Sequence, residues 1–96
     1  MYNTKVISLL HCFFRDKDSC YSKVICVKSQ DERVIGLHYL GPNGGEVVQG
    51  FAMALRLHAT KADFDSMIGI HPTCAEQFTT LNITKSSGKD WKKTSC

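Results

Sequence analysis

Residues 20–41 read CYSKVICVKSQDERVIGLHYLG, and this stretch decides the fold. Cys20, Ser22, Val24 and Cys26 alternate with Tyr21, Lys23, Ile25 and Val27. A period of two sends successive side chains to opposite faces of a strand. The polar SQDE that follows is a turn, and RVIGLHYLG is a further strand. Two alternating runs joined by a short polar connection predict an antiparallel hairpin. Cys20 and Cys26 fall on one face, where both are expected to act as small buried apolar side chains.

Upstream, KVISLLHCFF is β-branched and aromatic enough for a strand, and RDKDS after it is a polar turn. Downstream, GPNGGE breaks the alternation as a tight loop that opens a helix. Its glycines do not match G-x-G-x-x-G, and no Lys-Ser/Thr pair follows, so it is not a phosphate loop. In EVVQGFAMALRLH, Val47, Val48, Phe51, Ala54, Leu55 and His58 recur at helical spacing. Gly50 within that run is expected to admit a close backbone neighbour, since glycine costs about 1 kcal/mol against alanine in a helix. TKADFDSM carries the capping pattern Thr60-x-x-Asp63 and predicts a short second helix. Thr73-x-x-Glu76 repeats the pattern and predicts a helix through EQFTTL. KSSGKDWKKTSC reads as a mobile tail. Strands first and helices after predict an α+β fold with an antiparallel sheet and helices packed on one face.

The chain has 96 residues, one domain's worth, with 43% hydrophobic and 22% charged residues. A net charge of +3 is mild for a nucleic-acid binder, and the late lysines Lys85, Lys89, Lys92 and Lys93 read as a solvated tail. No apolar run approaches the ~20 residues of a membrane helix. The five cysteines are odd in number and include no C-x-x-C pair. Neither zinc nor a disulfide framework is expected from that count, so reduced thiols in a cytoplasmic setting, with the mitochondrion as second choice, are expected instead.

The segment IGIHPTCAEQFTTL, residues 68–81, holds the chemistry. Glu76 lies five residues after His71, near enough for its carboxylate to fold back onto the imidazole. Such a pair could move protons near neutral pH. Glu76 could instead only close a capping box with Thr73, leaving His71 a surface histidine; from the residues alone this second reading is favoured. Cys74 sits at the first turn of the expected helix, as a redox thiol or as a small buried side chain.

Residues 34–81, VIGLHYLGPNGGEVVQGFAMALRLHATKADFDSMIGIHPTCAEQFTTL, resemble the C-terminal dimerisation domain of the pyridine nucleotide-disulfide oxidoreductases. The likeness extends over about Cys20 to Gly88. Its sharpest motif is GIHPT, Gly69–Thr73, with the glutamate at 76. Within the family the chain is similar to animal-type thioredoxin reductases and thioredoxin glutathione reductases, with glutathione reductase the next relative. The resemblance implies that His71 is a proton donor and acceptor for thiol–disulfide exchange, oriented by Glu76. It implies a cis His71-Pro72 bond, with His71 and Pro72 lining the flavin pocket of a partner subunit in a homodimer. It implies FAD and NADPH in the parent enzyme, none bound to this chain alone, and thioredoxin or glutathione as substrate.

Residues 1–88 then form the dimerisation domain, incomplete at its N-terminus. Residues 89–96 form a flexible redox tail in which Cys96 is the first member of a terminal redox pair. The chain is accordingly expected to be a fragment and inactive alone. The alternatives are a fragment of glutathione reductase, or a free-standing, non-catalytic interaction module that pairs with full-length subunits.

Overall fold

The computed structural model of the chain describes residues 4–9 and 20–90. The expectations for Leu10–Phe14, for RDKDS and for the last six residues of the tail lie outside these. Strands β1 (Thr4–Leu9), β2 (Tyr21–Val27) and β3 (Arg33–Leu40) precede helices α1 (Gly44–Arg56) and α2 (Lys61–Ser66). A 3₁₀ segment, Ala75–Thr79, and a short strand β4 (Ile83–Thr84) follow. The sheet order is β3-β2-β1-β4, and every pairing is antiparallel.

The alternation in β2 holds up to its last residue: Ser22, Val24 and Cys26 are buried and Tyr21, Lys23 and Ile25 are only half-buried, while Val27, on the latter side, is buried as well. In β3 the alternation is interrupted. Ile25 pairs with Gly36 but Cys26 pairs with Val34, so Ile35 is an extra residue in a bulge. The bulge changes the parity of the strand. Val34 on one side of it and Leu37 and Tyr39 on the other all join the core face, while Ile35 is exposed.

Ile7, Val24, Cys26, Val34, Phe64, Phe78 and Leu81 form the core, and Val47, Phe51, Ala54 and Leu55 of α1 pack against it. Phe51 lies 4.8 Å from Phe78 and 5.6 Å from Phe64, ring centre to ring centre. One side chain of α1 thus ties both later segments together, through the offset and tilted geometries aromatic pairs prefer. The fold class is the expected one: α+β, antiparallel, with the helices on the face that Val24 and Cys26 share.

Several local expectations are corrected. α1 ends at Arg56, and His58 lies beyond it in left-handed conformation (φ 58°). Its N–H donates to Leu55 O and that of Ala59 to Ala54 O, the paired bonds of a Schellman stop, so His58 closes the helix and does not extend its apolar stripe. Among the described residues, nothing outside the helix backbone and the two adjoining residues comes within 4 Å of where a Cβ on Gly50 would sit, so none of them is the close neighbour expected there. The polar stretch KSSG, read as the start of a mobile tail, includes a 3₁₀ turn, Lys85–Ser87, in which Ser87 Oγ donates to Thr84 O at 2.7 Å. Cys20 is disulfide-bonded and Cys26 and Cys74 are buried thiols, so the all-thiol expectation fails at Cys20. Disulfides depend on which segments the fold brings within about 4.4–6.8 Å of one another, Cα to Cα, and a cysteine count holds no information about that.

Candidate functional site

The site is built on Gly69–Phe78. Its rigid end is the 3₁₀ segment Ala75–Thr79. Gln77 is buried there and accepts a hydrogen bond from the Ser22 hydroxyl at 2.7 Å. Phe78 is fully buried among Phe51 and Tyr39. A buried polar pair and an aromatic anchor therefore fix the backbone on which Glu76 stands.

The other end is the loop Met67–Pro72, which crosses the front of that segment. Gly69 makes the crossing possible. A Cβ there would lie 2.9 Å from Glu76 Cβ, closer than real Cβ atoms approach, and a tight 3.0 Å from Thr79 Oγ1. Thr73 Oγ1 donates to Ile70 O at 2.6 Å and accepts from the Glu76 N–H at 3.3 Å. Gly69 stood out in the sequence only as a letter of GIHPT; neither its steric role nor this use of Thr73 was legible there. The signal that could have found Gly69 is a glycine two residues before a histidine in a segment with no turn need of its own.

These constraints bring His71 and Glu76 together. His71 Nδ1 lies 3.1 Å from Glu76 Oε1. The His71 side chain is 63% exposed and that of Glu76 only 24%. The carboxylate is held against the protein while most of the ring faces outward. The His71-Pro72 peptide is cis. The capping box expected at Thr73 is only half formed. Thr73 caps the Glu76 N–H, but the Glu76 carboxylate turns to the imidazole, and the segment it opens is 3₁₀.

Cys74 is only 6% exposed and packs beside Cys20 and Tyr39, as a small buried residue would. Burial and a hydrogen bond with Cys74 push the Tyr39 phenol above its ordinary range, and the phenol donates to Pro42 O at 2.8 Å. Cys96 lies outside the described residues. Among the described residues, no group of three or more His, Cys, Asp or Glu could hold a metal ion. No helix among them is long and apolar enough to cross a membrane.

Several large apolar side chains of the described residues are uncovered. Ile68 is 95% exposed and Ile70 75%, flanking Gly69 immediately before His71. Leu40, Met53 and Leu57 are also exposed. The imidazole is thus anchored from behind by Glu76 and preceded in the chain by two uncovered isoleucines.

Residues 1–82 match the pyridine nucleotide-disulphide oxidoreductase dimerisation domain. The chain belongs to that family. The match begins at residue 1, earlier than the Cys20 from which the resemblance was traced. A thioredoxin reductase of Emiliania huxleyi, SEP1, is 56% identical over 82 residues, which is 85% of this chain and 17% of that protein. Thioredoxin reductases from two isolates of Plasmodium falciparum are 60% identical over 70 residues, 73% of this chain and 13% and 11% of theirs. The chain therefore spans less than a fifth of the length of these relatives. Dinucleotide cofactors are bound elsewhere by parallel βαβ units with a glycine-rich turn. All strand pairs among the described residues are antiparallel, so these residues do not form a unit of that kind.

Proposed function

We propose that this chain is the dimerisation domain of a flavin- and NADPH-dependent thioredoxin or thioredoxin-glutathione reductase, and that His71 and Glu76 are the acid–base pair it supplies to its partner subunit. The observation that supports this reading is the 3.1 Å contact between Glu76 Oε1 and Nδ1 of a ring that is otherwise largely exposed. A carboxylate on Nδ1 holds the proton there and leaves Nε2 as the nitrogen that exchanges one. A thiol attacks a disulfide only as thiolate, and the departing sulfur needs a proton back. His71 Nε2 would take the proton from the attacking thiol and return it to the leaving one, while Glu76 steadies the transient imidazolium. No step here passes through a flavin or nicotinamide, whose chemistry belongs to other domains of the parent.

The partner is proposed to be a second copy of the parent subunit, in a homodimer. The uncovered apolar side chains around Ile68, Ile70, Met53 and Leu57 support an association of that kind. Cys96 is proposed as the redox cysteine of the C-terminal tail, passing its thiol chemistry on to thioredoxin, and the cytoplasm as the compartment.

The test is a complete reductase carrying this domain. His71→Ala is expected to slow thiol–disulfide exchange by roughly 10²–10⁴-fold, the range for losing a positioned acid–base group. Its melting temperature should hardly move, since the side chain is mostly in solvent. Retention of more than about a tenth of wild-type turnover, against that range, leaves the non-catalytic interaction module as the better reading.

A further inference from the structure

We propose that Thr73 is a positioning residue for the His71–Glu76 pair, acting through its hydroxyl on the backbone of both. The inference rests on the reading of that pair as the working unit of the site.

Ile70 and His71 are exposed, so apolar burial does not fix the loop that presents the imidazole. Polar ties must do so. The Thr73 hydroxyl donates to the carbonyl of Ile70, the residue directly before His71, at 2.6 Å. The same oxygen accepts from the backbone N–H of Glu76 at 3.3 Å. A hydroxyl has one proton to give and two lone pairs to receive, so one atom serves both bonds without conflict. It therefore spans from the peptide that starts His71 to the peptide that starts Glu76. Gly69 closes the arrangement sterically, by letting the loop rest against Glu76 Cβ.

Thr60 shows what a threonine in the same pattern does when it serves only a helix. Its hydroxyl donates to its own acid partner, Asp63 Oδ2, at 3.0 Å. Thr73 gives its proton to the loop instead, and so leaves the Glu76 carboxylate to the imidazole. The tautomer of a functional histidine is set by the hydrogen bond its other ring nitrogen makes, and Thr73, by tying the backbone under both residues, holds the Glu76 carboxylate at Nδ1.

The experiment reads that tautomer. The full 96-residue chain is labelled with ¹⁵N, and long-range ¹H–¹⁵N correlation spectra of the imidazole rings are recorded at alkaline pH, where histidine is neutral. Wild-type His71 is expected in the Nδ1–H form. Glu76→Ala should shift it toward Nε2–H and so marks the end point. Thr73→Val keeps the shape and removes the hydroxyl; it should shift His71 toward that end point. Thr73→Ser restores the hydroxyl and should hold the wild-type tautomer.

A Thr73→Val chain that folds and keeps the wild-type tautomer overturns the role of Thr73, with the pair itself intact. A Glu76→Ala chain with the wild-type tautomer overturns the reading of the pair instead. Should Thr73→Val unfold, the serine variant decides: the wild-type tautomer upholds the role, and the Glu76→Ala tautomer in a folded chain ends it.

Discussion

Thr60–Asp63 and Thr73–Glu76 are the same short pattern, a threonine followed three residues later by an acid, and the fold uses them differently. At the start of α2 the box closes on itself. Asp63 Oδ2 accepts from the Thr60 N–H at 2.7 Å, and Thr60 Oγ1 accepts from the Asp63 N–H at 3.3 Å. At the start of Ala75–Thr79 only the second bond has a counterpart. The Glu76 carboxylate has been drawn off to His71, and Thr73 has been drawn to Ile70. The longer acid makes this divergence feasible. One more methylene lets the carboxylate reach past the backbone to a ring five residues back. Completing a cap satisfies a backbone donor and steadies a helix. Leaving it incomplete sacrifices that and frees the carboxylate for the imidazole, as the proposed acid–base role requires; functional sites are where local rules are expected to be broken.

Converting one of the two patterns into the other gives the largest effect the comparison itself predicts. Glu76→Asp makes the second pattern the same as the first. The shorter carboxylate should retract from His71 and close on Thr73, as Asp63 does on Thr60. In a complete reductase, turnover should fall between about 10- and 100-fold, the scale of misplacing a working group by about an ångström. Thermal stability should hold or rise slightly. Undiminished turnover in Glu76→Asp breaks the comparison, because the carboxylate then does nothing for His71 that it could not do from the cap.

The complementary change belongs to α2. Thr60→Ala removes the oxygen that caps the Asp63 N–H and one donor to the carboxylate. It should cost about 1 kcal/mol. In a domain of this size that lowers the melting temperature by roughly 4–8 °C. Turnover of the complete enzyme, measured below the transition, should be unchanged. A drop in turnover at full folding would mean that α2 is coupled to the site, and the division into a structural and a working pattern would fail.

How these two sites differ could be read only partly from the sequence. The alternation Ser22–Val24–Cys26 announced β2, and Thr60-x-x-Asp63 announced α2, because both signals are local and nothing distant competes with them. The nearness of His71 and Glu76 was legible in their spacing, but its use was not, since a closed cap at Thr73 satisfied the same residues. What decided between them lies elsewhere in the chain. Ser22 donates to Gln77 across 55 residues of sequence, and Phe51 reaches Phe78; together they fix the backbone under Glu76. The bulge at Ile35 was equally hidden. It follows from the pairing of Cys26 with Val34 and Ile25 with Gly36, and no property of β3 alone demands it. Cys20 escaped for a related reason, since cysteine spacing says nothing of tertiary proximity.

A stability change remote from both patterns calibrates them. Gly50 lies within α1, with open space where a Cβ would be. Gly50→Ala should stabilise the chain by about 0.5–1 kcal/mol through the lost backbone entropy of glycine. Turnover of the complete reductase should not respond if that face of α1 is uncovered there. Weaker association by sedimentation, with a higher melting temperature, would place Gly50 at a contact between subunits. That would supply the close neighbour the described residues do not provide.

The smallest expected effect distinguishes the closed cap by pH. The Asp63 carboxyl is held below its ordinary value of 3.8, first by the backbone N–H of Thr60 and then by its hydroxyl, against a slight opposing desolvation. A carboxyl whose pKa is lower folded than unfolded binds fewer protons in the native state. Its contribution to stability is therefore present above the unfolded value and disappears as pH falls through the folded one. Wild type and Asp63→Ala should differ by a constant margin in melting temperature near neutrality. The margin should shrink as pH drops below 3.8 and vanish once Asp63 is protonated in the folded chain. Asp63 is fully exposed, so the margin should also narrow in high salt. A margin that persists unchanged to about pH 2, well below any ordinary carboxylate, would show that the Asp63 charge does not close the cap. The first pattern would then be as open as the second, and the contrast between them would rest on Thr60 and Thr73 alone.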